Sequence, residues 1–156
     1  MAAENRDAFA CGHAAEPQIR AFACARKKQD QKALGRLGAL AKALKVRPPA
    51  EISEPEKDII HRLTLASGQD YDLRYTSETA NALSQAIRRY EAAAKQVDEP
   101  RVLGFIAERL PMLQQAYDKA RQTEALLPAR APHLWGITAS NDHPATMGPI
   151  PRFHGY

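Results

Sequence analysis

Residues 17–46 show the clearest hydrophobic pattern of the chain, because positions facing one side of a helix recur there at alternating steps of four and three. This spacing predicts a long helix with one buried stripe, as in a helical bundle. The stripe consists of Ile19, Ala23, Arg26, Asp30, Ala33, Leu37, Leu40 and Leu44. Arg26 and Asp30 are charged, although they lie one turn apart where the core should be. We therefore expect a buried i,i+4 ion pair between them.

Four further helices are predicted by the same period and by start and stop signals. They cover residues 5–14, 54–66, 69–97 and 101–127, and no strand pattern interrupts them. Ser53 and Glu56 should form a capping box, and Pro111 should kink the last helix or remove one of its hydrogen bonds. Gly35 and Gly38 are expected to allow close helix contact. The predicted fold is all-α, an antiparallel four-helix-type bundle with a short N-terminal helix.

The composition changes after residue 127, which divides the chain into a helical bundle, 1–127, and an extended tail, 128–156. The tail has no helical period, and it holds five of the eleven prolines and the only tryptophan. A disordered tail is normally poor in large apolar side chains, whereas this one carries Leu134, Trp135, Ile137, Met147, Ile150, Phe153 and Tyr156. We expect these seven residues to dock on a partner protein. The alternatives are a tail that wraps over its own bundle and plain disorder.

The two cysteines, Cys11 and Cys24, lie on either side of Pro17. On one continuous helix they would be about 20 Å apart, at 1.5 Å per residue. If the chain reverses near Pro17 they become roughly opposite each other, and a disulfide becomes possible. A disulfide would indicate an oxidising compartment. Two buried free thiols are the alternative.

Charge and hydropathy narrow the classes of partner. The formal net charge is only +4, and basic and acidic residues alternate along the helices, which favours a solvated surface over a nucleic-acid interface. No apolar run approaches the ~18 residues that span a bilayer, so we predict no direct membrane span. The first residues, MAAENRDAF, show no apolar segment typical of a signal peptide.

Five segments in order resemble a bacterial ferritin-like family without an assigned biochemical function, whose members are often labelled exported or outer-membrane proteins. The segments are PQIRAFA, KALGRLGALAKAL, SGQDYDLRY, AIRRYEAAA and ERLPMLQQAYDKAR, and the similarity covers about residues 9–127. The resemblance implies a four-helix-type bundle and a periplasmic location. Members of this family usually carry three histidines, at places that hold Asp30, Leu83 and Ala116 here.

These departures argue against the chemistry typical of ferritin-like proteins. Such metal sites use converging carboxylates and histidines, often as Glu-x-x-His pairs, and no such pair occurs in this sequence. The glycines form no phosphate-binding pattern, and the histidines lack the close spacing of zinc ligands. We therefore expect no metal, no cofactor and no enzymatic activity.

The sequence thus favours a non-catalytic accessory subunit of a larger, periplasmic complex, with the tail as a clamp. A membrane-bound oxidoreductase of the quinoprotein alcohol dehydrogenase type would suit the size and the tail, although no residue motif points to it. The alternative hypothesis is a ferritin-like envelope protein that binds a metal or cofactor at an unconventional site.

Overall fold

The computed structural model describes residues 2–48 and 52–127, and within these ranges it contains five helices and no strand. The helices are α1 (Ala2–His13), α2 (Pro17–Ala43), α3 (Glu54–Thr64), α4 (Gly68–Ala94) and α5 (Pro100–Ala125). The predicted all-α bundle is confirmed, and each helix lies within a few residues of its predicted position. The tail, 128–156, lies outside the described residues.

Two helical hairpins form the bundle: α1 packs on α2, and α4 packs on α5. The hairpins meet where α2 lies against α5, while the short α3 contacts both α1 and α4. The core between them is built from Ala10, Ala14, Ile19, Phe22, Ala23, Leu63, Tyr71, Tyr75, Ala80, Leu83, Leu113, Ala116 and Ala120. Small alanines at many of these positions let the helices approach closely.

The length of α1 divides the bundle into two parts. With 12 residues against 27, α1 covers only the first half of α2. The buried residues of α2 accordingly end at Asp30, although its apolar stripe continues to Leu44. We call the part that α1 covers the closed half (α1 with residues 17–30, 71–83 and 113–125). The open half comprises residues 33–46, 86–94 and 100–109.

The C-terminus of α2 is defined by a Schellman motif. The N–H of Val46 donates to the carbonyl of Ala41 at 2.9 Å, and that of Lys45 donates to Lys42 at 3.1 Å. Lys45 adopts a positive φ of 55°, a conformation that usually selects glycine. The helix therefore stops at Ala43, three residues before its predicted end.

Two local expectations need correction, and a third holds. Gly35 and Gly38 do not mediate helix contact, because a Cβ on either would meet no atom within 4 Å; both lie on the exposed side of α2. Ser53 does cap α3, but its side chain makes no capping bond, and the N–H of Glu56 donates to the Ser53 carbonyl instead. Helix α5 continues through Pro111, and because proline has no N–H the helix lacks one hydrogen bond there, which is one of the two effects expected.

Candidate functional site

The hairpin of α1 and α2 is closed by a disulfide between Cys11 and Cys24, whose Cα atoms lie 4.7 Å apart. The chain reverses between His13 and Pro17, which brings the two cysteines opposite each other on antiparallel helices. Of the two alternatives that the sequence left open, the structure contains the disulfide.

Asp72 fixes the turn between these helices. Its carboxylate accepts hydrogen bonds from the backbone N–H groups of Ala15 (3.0 Å) and Glu16 (2.8 Å). From the other side, the guanidinium of Arg20 donates to the carbonyl of Ala14 at 2.8 and 3.1 Å. A carboxylate at the start of α2 also interacts favourably with the helix dipole. Asp72, the second aspartate of the SGQDYDLRY segment, therefore has a structural role.

The predicted ion pair is present, but it belongs to a larger buried network. Arg26 contacts Asp30 at 2.9 Å through Nη2, and it contacts Asp7 at 3.1 Å through Nε. Tyr75 donates its hydroxyl hydrogen to the other Asp7 oxygen at 2.8 Å. Arg109, from α5, pairs with the second oxygen of Asp30. Arg26 thus links both carboxylates, as buried charges require.

Burial governs the protonation of this network. Desolvation raises the pKa of Asp7 above its usual value, and the nearby charge of Arg26 and the hydrogen bond from Tyr75 offset only part of that rise. Burial also raises the pKa of Tyr75, so its phenol stays protonated and donates to Asp7. The Tyr75 hydroxyl therefore remains a donor to Asp7, and the network acts as a polar core.

A cavity of about 150 Å³ lies beside the network, at the boundary of the closed and open halves. All four helices of the two hairpins contribute to its wall. The lining residues are Arg6, Arg26, Asp30, Ala82, Leu83, Ala86, Tyr90, Arg109 and Leu113. Among the described residues, three arginines and one carboxylate thus line this small space.

The positions at which the resemblance expects histidines gather around Arg26. Asp30 and Leu83 line the cavity together with Arg26. Ala116 lines a neighbouring groove between α2 and α5, to which Arg26 also contributes. The three places are therefore close in space, but none of them carries a metal-binding imidazole here.

The open half presents an apolar groove of about 420 Å³ between α2, α4 and α5. It is lined by Leu37, Leu40, Ala41, Leu44, Val46, Arg89, Tyr90, Ala93, Val102, Phe105 and Ile106. Leu37 and Val46 are 39% and 59% exposed. Residues 37–48 contribute three basic side chains and no acidic one, so this edge of the groove is positively charged.

Most partners of the Arg26–Asp30 ion pair were not predicted from the sequence. Asp7 lies one turn from Ala10 and two from Ala14, a spacing that marks the buried face of α1. That spacing was the available signal, but α1 is too short for the pattern to stand out. Nothing in the local sequence marks Arg109 as a partner of Asp30, because 79 residues separate them. The seven tail residues predicted to bind a partner, from Leu134 to Tyr156, lie outside the described residues.

Within the described residues, no three His, Cys, Asp or Glu side chains come together as a possible metal site. The same part of the chain contains no helix long and apolar enough to cross a membrane.

Comparison with curated proteins and comparison with solved structures each give no significant match. A family model described as a domain of unknown function (DUF4142) matches residues 8–123. The ferritin-like affiliation and the family histidines remain predictions. The match covers most of the chain, from α1 almost to the end of α5, and the protein therefore belongs to the DUF4142 family.

Proposed function

We propose that this protein is a non-catalytic accessory subunit that docks on a larger exported protein. The observation that carries the proposal is the apolar groove of the open half. Its side chains continue the helical stripe that is buried in the closed half, yet within the described residues no fourth helix covers them, because α1 is too short. Contiguous exposed apolar surface of this kind is typical of interaction sites.

The partner that suits this groove has an apolar segment flanked by acidic side chains. The apolar lining would receive the segment, while Lys42, Lys45 and Arg47 would pair with the acids. The groove has eleven lining residues, fewer than the roughly 20–30 residues on each side of a stable interface. The seven apolar residues of the tail would supply the remaining contacts.

The groove and the end of the described chain lie in different halves of the bundle. The tail follows Leu127, which lies beside Ala15 and Glu16 in the closed half, whereas the groove lies near Phe105. Some 22 residues of helical rise separate these points, or about 33 Å at 1.5 Å per residue. A partner that contacts both the groove and the start of the tail would span about this distance. A membrane-bound oxidoreductase of the quinoprotein alcohol dehydrogenase type is one complex of suitable size.

A periplasmic location is part of the proposal. The disulfide supports it, since disulfides persist in oxidising compartments, and the resemblance to exported proteins points the same way. Trapping thiols with a maleimide in intact cells should leave both cysteines unmodified. Two modified cysteines in the native host would contradict export.

Site-specific photo-crosslinking in the native host tests the docking surface. A photoreactive residue at Leu37 or Leu44, or at Trp135 in the tail, should give one discrete adduct with the same larger protein. Leu65 is a matched control, because it is 76% exposed and lies outside the groove; it should give none. Adducts at Leu65 equal to those at Leu37 would contradict a specific groove.

The identified partner then allows a quantitative test. With both proteins purified, Leu37→Glu should weaken binding by about tenfold or more, because it buries a charge in the apolar contact. Leu65→Glu should leave binding unchanged. Equal affinity of the wild type and Leu37→Glu would show that the groove is not the interface.

A further inference from the structure

We propose that the cavity at the boundary of the two halves binds a small oxyanion, held by the guanidinium groups of Arg6, Arg26 and Arg109. The proposal is independent of the accessory function, because the cavity lies between the helices and shares only Tyr90 with the lining of the docking groove.

The three arginines provide an excess of hydrogen-bond donors at the cavity. Each arginine carries five N–H groups and no acceptor. Asp30 is the only carboxylate in the cavity wall, and it already receives hydrogen bonds from Arg26 and Arg109. Among the described residues no further carboxylate lines the cavity, and the Tyr90 hydroxyl, which hydrogen-bonds Arg109, leaves most of the remaining donors without a side-chain acceptor there. An acceptor-rich ligand satisfies them.

Arg6 is buried with only part of its guanidinium group paired. Its side chain is 2% exposed, and its Nε is buried without a hydrogen-bond partner. Its ion pair with Glu56 is long, at 3.4 Å, and Glu56 is itself 32% exposed. A buried, unpaired N–H of a charged group is costly, and an oxygen in the cavity removes that cost.

Size and charge define the class of ligand. A water molecule occupies about 30 Å³ of liquid, so 150 Å³ accommodates roughly five non-hydrogen atoms. Acetate and inorganic phosphate both fall in this range, and both match the fork geometry of a guanidinium. Asp7 and Glu56 pair with Arg26 and Arg6 without lining the cavity, and together with Asp30 they balance the three guanidinium charges. An anion of low charge fits this balance best.

Calorimetric titration of the full chain at constant ionic strength tests the proposal, with sodium acetate and sodium phosphate as separate probes and sodium chloride as the reference. At least one oxyanion should bind with saturation at one site per chain. Acetate alone would identify a carboxylate site, and phosphate alone a site for tetrahedral anions. No saturable binding of either probe would show that the cavity holds only water, and would overturn the proposal.

Arg6→Gln should weaken that binding by about tenfold or more, since it removes a charge-assisted contact. Arg36→Gln is the matched control, because Arg36 lies on the exposed side of α2, away from this cavity. Equal weakening by both variants would indicate nonspecific surface attraction and would overturn the site. If Arg6→Gln does not fold, Arg6→Lys keeps the charge but loses the fork, and it should also weaken binding.

Discussion

The closed and open halves of this bundle continue the same helices but bury their side chains differently. In the closed half, α1 completes the bundle, and Ile19 and Ala23 are inaccessible to solvent. In the open half the same stripe of α2 reaches Leu37, which is 39% exposed. The difference arises from the length of a single helix, because the spacing of apolar residues along α2 is the same in both halves.

The comparison shows that an amphipathic stripe indicates a partner without saying whether that partner is part of the same chain. The closed half secures its short helix with a disulfide, a carboxylate at the turn and a buried network. The open half has none of these links to α1. The residues that stabilise the bundle and those that would bind a partner therefore lie in different halves along α2. Four predictions test this separation.

The largest effect should follow from replacing Arg26 by methionine. Asp7 would then lie buried without a guanidinium partner, and Asp30 would keep only Arg109, which should lower the free energy of unfolding by about 3–5 kcal/mol in urea denaturation. The triple variant Arg26→Met, Asp7→Asn, Asp30→Asn should regain most of the loss. A triple variant no more stable than the single one would refute the role of uncompensated charge.

Truncation of one apolar residue in each half should show the next largest contrast. Ile19→Ala should cost about 2–5 kcal/mol, because Ile19 is fully buried. Leu37→Ala should cost less than about 1 kcal/mol, since its side chain already contacts solvent. Both values come from the same denaturation experiment. Equal costs would mean that something covers the open half in the isolated protein.

Removal of the disulfide should have a similar but somewhat smaller effect. The two cysteines are 13 residues apart, and closing a loop of about this length stabilises a protein by roughly 3 kcal/mol. The variant Cys11→Ser, Cys24→Ser should lose about that much in thermal or urea unfolding. A reducing agent should destabilise the wild type and leave the double variant unchanged; a response of the double variant would point to another cause.

The smallest effect concerns the exposed glycines of α2 and should be stabilising. Gly35→Ala and Gly38→Ala should each raise the free energy of unfolding by about 0.5–1 kcal/mol, because both are helical and an added Cβ meets open space. Gly68→Ala is the contrasting control and should destabilise, since Gly68 has a φ of +56°. Loss of stability on replacing Gly35 would mean that another surface approaches it closely.

The sequence predicted the helices well because their signals are local. Proline at the start of α2, and Ser67 and Gly68 at the start of α4, mark boundaries within a few residues. The pairing of Arg26 with Asp30 was predictable for the same reason, as both lie on one helix at a spacing of four. The end of α2 was less certain, because it depends on Lys45 adopting a conformation that lysine rarely takes.

The candidate site was only partly predictable because its members come from different helices. Arg6 and Asp7 lie on α1, Tyr75 on α4 and Arg109 on α5, and the separations in sequence reach 79 residues. Only the packing of the two hairpins brings these groups together. Phe105 was likewise missed as a buried residue, since its contacts depend on how α5 lies against α2 and α4.

The amino-acid sequence by itself determined which segments are helical, which face of each is apolar and where a charged pair interrupts the core, because these properties follow from residue type and a period of 3.6. The tertiary structure alone decided how far α1 reaches along α2. That reach depends on the register of two packed helices, which the disulfide and Asp72 fix. The reach of α1 determines in turn which apolar residues form the core, which form the groove, and where three arginines line a cavity.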